Sequence, residues 1–211
     1  MLQLFSPNSV FGRWMAFFLD ALLIGVVWAI LCIPVFTAGA STAALHRVAH
    51  NWMRNRSECT VKDFWAAFLS NFKKGTVIWL ILLIPLALIL FNVHAVWIAR
   101  LQTSSLAKWL VLISGIIWVA TATFAFSLQA IFENKPLRTV SNALRIAASY
   151  IVTSLILTAI FALSAFLTYL IPLGVVLFIP AGVFLSARPI WGVFCKVMEM
   201  PDVTTDTQGE I

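Results

Sequence analysis

Apolar residues in this chain come in runs rather than alternations. Five runs are long enough to cross about 30 Å of hydrocarbon as helices, which takes about 20 residues each. The first covers Met15 to Phe36, the second Thr76 to Ile98 and the third Leu106 to Phe132. The fourth and fifth share one stretch, Ile146 to Phe194. As a single helix that stretch would be roughly 70 Å long at 1.5 Å per residue, so it must fold back. The corner is predicted at Ile171-Pro172-Leu173-Gly174, because Pro stops a helix and Gly tolerates a tight turn. Spans four and five are thus 146–171 and 173–194.

Between spans one and two the pattern changes. Leu45, Val48, Ala49 and Trp52 recur at helical spacing, with Arg47, His50 and Arg54 on the opposite side. This predicts an amphipathic helix over 40–54, lying at the membrane surface with its basic face toward headgroups or a partner. The segment Cys32-Ile-Pro-Val-Phe-Thr-Ala-Gly-Ala reads as a hinge before it. Pro34 loosens the end of span one, and Gly39 lets the backbone turn. A second amphipathic helix is predicted over 61–74. Thr60-Val61-Lys62-Asp63 reads as a capping box with Asp in place of Glu or Gln. Phe64, Phe68 and Phe72 follow at intervals of four, and Lys73, Lys74 and Gly75 end the helix. Pro136 opens a comparable basic stretch before span four, so the two regions form a weak parallel echo.

Composition strengthens the membrane reading. The chain has 211 residues, 62% hydrophobic and 10% charged, against about 45–50% and about 25% in soluble domains. A water-soluble domain of this size could not hide so much apolar surface. The net charge of +6 is explained by topology rather than by nucleic acid. Arg13, Arg100 and Lys108 fall on one face. Arg47, Arg54, Arg56, Lys62, Lys73, Lys74, Lys135, Arg138, Arg145, Arg188 and Lys196 fall on the other. By the positive-inside rule the second face is cytoplasmic, with the N-terminus outside and the C-terminus inside. Ala38-Gly39-Ala40 fits a signal-cleavage pattern, but the apolar stretch before it is too long for a signal peptide and is read as retained. Met200 to Ile211 is polar and acidic, and is expected to be a disordered tail.

Two stretches carry a resemblance. The segment Leu31-Cys-Ile-Pro-Val-Phe-Thr-Ala-Gly-Ala-Ser-Thr-Ala-Ala-Leu45 is followed by Val61-Lys-Asp-Phe-Trp-Ala-Ala-Phe-Leu-Ser-Asn-Phe-Lys73. Together they resemble the signature of the YesL family, bacterial multi-pass membrane proteins classed as a domain of unknown function. Pro34, Thr37, Gly39, Ala43, Ala44, Leu45, Asp63, Phe64, Phe68, Asn71, Phe72 and Lys73 match its pattern. The resemblance covers about the first 80 residues closely. It implies a role near carbohydrate uptake, with an ABC-type sugar transport system as partner, and assigns chemistry to no residue.

No catalytic or metal motif is present: there is no Walker A, no G-x-S-x-G and no H-E-x-x-H. His46 and His50 are four apart, but Arg47 between them would repel a cation. The three cysteines, Cys32, Cys59 and Cys195, suggest neither disulfides nor zinc. Asp20 is the only acid inside a span, a candidate site by default, with Arg13, Arg100, Asn92 or His94 as neutralising neighbours. Ser154, Thr158 and Ala162, and Ser114, Thr121 and Ala125, are read as helix-packing stripes.

The expected protein is an all-α membrane protein with five transmembrane helices and amphipathic cytoplasmic helices. The expected function is non-enzymatic and cofactor-free: an accessory protein that binds a partner. Its candidate binding residues are Asp20, Pro34, Thr37, Gly39, Arg47, His50 and Arg54, and its candidate partner-facing residues are Asp63, Phe64, Phe68, Asn71 and Phe72. The competing expectation is a small transporter or channel with Asp20 and the hinge in its path. The sequence leaves homo-oligomerisation open.

Overall fold

A computed structural model describes residues 10–55, 61–95, 105–132 and 134–199. Among them every regular element is a helix: α1 (Val10–Cys32), α2 (Ala38–Asn55), α3 (Val61–Val93), α4 (Ser105–Ile131), α5 (Pro136–Ser149), α6 (Ile151–Leu170) and α7 (Val175–Glu199). A single 3-10 turn, Pro172–Gly174, joins α6 to α7. The helices α3, α4, α6 and α7 are long and apolar enough to cross a membrane, and α1 contributes a shorter apolar length, Leu19–Cys32. Their outward faces are studded with exposed Leu, Ile, Val and Phe side chains, the surface a lipid-embedded bundle presents. In lipid each backbone group must be satisfied within the protein, which is why helices are the form these runs take. Thr60, Cys59, Arg56, Trp97, Arg100 and the tail lie outside the described residues, as do the side chains of Arg13 and Trp14.

The predicted break at Gly75 does not occur. The amphipathic helix 61–74 and the second span are one continuous rod of 33 residues, about 50 Å at 1.5 Å per residue. Gly75 is an interior helical residue placed where α2 crosses. A Cβ there would lie 2.9 Å from the Ala40 Cα, and a Cβ on Gly39 would run into the Gly75 carbonyl and Trp79. Gly39 sits in the first turn of α2 and is required for close approach rather than for turning. The turn itself is made by residues 33–37. The Thr37 amide donates to the Pro34 carbonyl at 2.9 Å. Its hydroxyl reaches the carbonyls of Leu31 and Pro34, closing the end of α1 with side-chain groups.

The second region breaks where no break was expected, at Tyr150 inside the predicted span 146–171. Helix α5 ends at Tyr150, whose amide donates to the Ile146 carbonyl, and α6 starts at the next residue. Ser154 donates to the Ala147 carbonyl at 2.8 Å, occupying an acceptor that the end of α5 leaves free. Inside α3, Pro85 removes the donor for one carbonyl, and the Trp118 indole donates to the nearby Leu82 carbonyl at 2.9 Å.

The core lies at one end of the bundle. Helix α2 packs most extensively on α3 and also on α7, α4 and α1. Its small residues Ala40, Ser41, Ala43, Ala44 and Ala49 are fully buried, so neighbouring backbones come close, the packing mode expected among membrane helices. Helix α2 is thus packed into the bundle on most of its circumference: only Arg47, Asn51 and Arg54 among its described side chains stand exposed.

Candidate functional site: a buried polar cluster under a basic face

The interior of this end is not uniformly apolar. Helix α2 sends His46 and His50 inward, at 1% and 2% exposure. Helix α3 adds Asn71, and α4 adds Ser127 and Gln129, all buried. His46 Nδ1 lies 3.0 Å from Ser127 Oγ. The Gln129 amide donates to Asn71 Oδ1 at 3.3 Å, and Asn71 in turn donates to the Ala67 carbonyl at 2.9 Å. Two small hydrogen-bonded groups thus tie α2 to α4 and α3 to α4.

Aromatic rings enclose the imidazoles. His46 stacks on Phe126 with centroids 6.4 Å apart, and His50 stacks on Phe194 at 6.3 Å. The two imidazoles stack on each other at 6.5 Å, and Trp191 stands tilted beside His50 at 6.4 Å. Above Trp191 lies the Arg54 guanidinium, 4.9 Å from the ring centroid, within the range of a cation–π contact. Arg47 Nη1 donates to Ser70 Oγ at 3.3 Å on the outer side.

The surroundings set the protonation. Burial, then the neighbouring His50, pushes the His46 imidazole down to about 3. Burial, then Arg54, pushes His50 down to about 4. Removing a cation from water is costly, so both rings are neutral at pH 7. Neither His50 ring nitrogen has a hydrogen-bond partner among the described residues, nor does Gln129 Oε1. Each such buried group costs about 1–3 kcal/mol. Among the described residues no three His, Cys, Asp or Glu side chains meet in a way that could hold a metal ion.

The candidates named from sequence separate into groups. Thr37 and Gly39 are buried helix-joining residues, and Pro34 is exposed in the turn. Arg47 and Arg54 form an exposed basic face, but His50, placed with them by spacing, points into the core. On α3 the faces are exchanged: Phe64 and Phe68 are buried in the cluster that holds α2 and Asn71 is buried beside Gln129, while Asp63 is exposed and Phe72 is 37% exposed. Asp20 is half-buried in α1, which leads away from this cluster. Ser127 and Gln129 were not singled out from sequence, although polar residues in the run Ala120-Thr-Ala-Thr-Phe-Ala-Phe-Ser-Leu-Gln-Ala130 were a visible signal.

A family model described as a protein of unknown function, DUF624, matches residues 13–93, the part of the chain that forms α1, α2 and α3. No curated protein and no solved structure matches significantly.

Proposed function

We propose that this multi-pass membrane protein is a YesL-type accessory subunit, non-enzymatic, that binds a carbohydrate uptake system through its cytoplasmic end. The supporting observation is where its exposed cations stand. Arg47 and Arg54 on α2, Lys62 and Lys73 on α3, Lys135 before α5, Arg138 and Arg145 on α5, and Arg188 and Lys196 on α7 are exposed, and so is Lys108 at the start of α4. The direction of each helix places all of them but Lys108 toward the end of the bundle that holds α2. That asymmetry fits the cytoplasmic leaflet, with the N-terminus outside and the C-terminus inside. The family match, limited to residues 13–93, lies on the elements that build this end.

The test is mass spectrometry of what remains bound after mild solubilisation of native membranes. Membrane subunits of a sugar transporter should co-purify, and a variant with Arg47→Glu and Arg54→Glu should lose them while folding normally. Recovery of the intact protein with no such subunit overturns the proposal.

A second reading is favoured by one observation, the buried cluster of uncharged polar groups around His46 and His50. It makes the chain a transporter in its own right. In that case the purified protein alone moves solute across liposomes, and His50→Phe, within that cluster, stops it.

A further inference from the structure

The first fourteen residues of α3 have two faces. Phe64, Ala67, Phe68 and Asn71 are buried against the body of the protein. Trp65, Leu69 and Phe72, at spacings of four and three, are 47%, 59% and 37% exposed. Lys62 and Lys73 stand exposed beside them. Asp63 is exposed on another part of the helix surface.

Lipid does not account for this stripe. Because α3 is one unbroken helix, positions along it convert directly into height. Lys73 and Lys74 close the apolar span and belong at headgroup level. Leu69 is then about 6 Å, and Trp65 about 12 Å, further along the axis. The headgroup layer adds only about 5–7 Å beyond the hydrocarbon on each side, and a typical tilt of about 20° shortens the heights by less than a tenth. Counted from that level, Trp65, 47% exposed, reaches past the headgroup layer and Leu69 to its outer edge. Apolar residues at i, i+4 and i+7 on a rigid helix, framed by cations, form the usual surface for a helix-on-helix contact.

We propose that Trp65, Leu69 and Phe72 dock an amphipathic segment of a partner protein whose apolar ridge is flanked by Asp or Glu. This rests on the accessory reading above and specifies where the partner sits and what its chemistry is. Trp is among the residue types that dominate such interfaces, which makes Trp65 the anchor of the stripe.

The test is a photo-crosslinking amino acid at position 69 in cells, with position 110 on α4, another exposed leucine, as a lipid-facing control. The expected product joins position 69 to a protein whose crosslinked peptide is acidic and amphipathic. A variant with Lys62→Glu and Lys73→Glu should lower the yield about tenfold, the effect of about 1.4 kcal/mol. These positions face outward, so the variant should retain its elution profile and melting temperature. Crosslinks at 69 to lipid alone, to a second copy of this chain, or to nothing overturn the proposal. If a sugar-uptake subunit still co-purifies in those cases, the accessory function stands without this surface. If the crosslinked partner is acidic and amphipathic but unrelated to uptake, the surface stands and the uptake role falls.

Discussion

Gly39 and Gly75 face each other across the α2–α3 crossing, each lying where the other helix's backbone leaves no room for a side chain. Replacing either with Val should be among the most damaging single changes in the chain. Overpacking a tight site costs about 1–3 kcal/mol, and more where backbone must move. Gly115, in α4, has nothing within 4 Å of a Cβ. Gly115→Ala should be neutral or stabilise by up to about 1 kcal/mol through helix propensity. Melting curves of detergent-solubilised variants rank the three, and equal loss at all three positions would contradict the crossing.

Ser127 is the hydrogen-bond partner of His46. Ser127→Ala leaves a buried ring nitrogen unpaired and should cost about 1–3 kcal/mol. His46→Phe combined with Ser127→Ala should cost less than the sum of the single changes, because no orphaned group remains. A double-mutant cycle by thermal unfolding measures the difference.

The buried histidines make the fold acid-sensitive. Their ordinary value is 6.5, and in the folded protein they stand at about 3 and about 4. The unfolded chain therefore binds more protons as the pH falls below 6.5, and the folded state loses stability in the window from about 6.5 to about 3. The melting temperature should fall across that range. A His46→Gln, His50→Gln variant should show a flatter profile, and an unchanged slope would refute the assignment.

Arg54 over Trp191 is a contact at the protein surface. Arg54→Ala should cost no more than about 1 kcal/mol, measured as a small shift in melting temperature. The same substitution removes the Arg54 charge that helps to hold His50 neutral, so the ring should take up a proton more readily.

How far these features could be read from sequence depended on the physics behind each. Spans announce themselves because only long apolar helices are tolerated in hydrocarbon. The run 173–194, with Pro180 and Pro189 inside α7, still reads as a span for that reason. Faces were harder. Arg47, His50 and Arg54 share a spacing, which assigned His50 to the outside. That assignment assumes one wet side and one greasy side, whereas α2 is enclosed by four other helices and hides its imidazoles among aromatic rings. Lys73-Lys74-Gly75 looked like a helix end, but Gly75 is there to let Ala40 come close. Ser127 and Gln129 mattered only once α4 was brought beside α2 and α3, a relation that no local pattern encodes.

The enclosure of α2 also constrains the order of manufacture. Its inward histidines find Ser127 on α4 and Phe194 on α7, residues translated some eighty and a hundred and forty or more positions later. A nascent chain that has emitted only α1 to α3 has nothing to shield those rings. A chain truncated before α7 should therefore leave the α2 imidazoles uncovered and unfold at a lower temperature than the full chain.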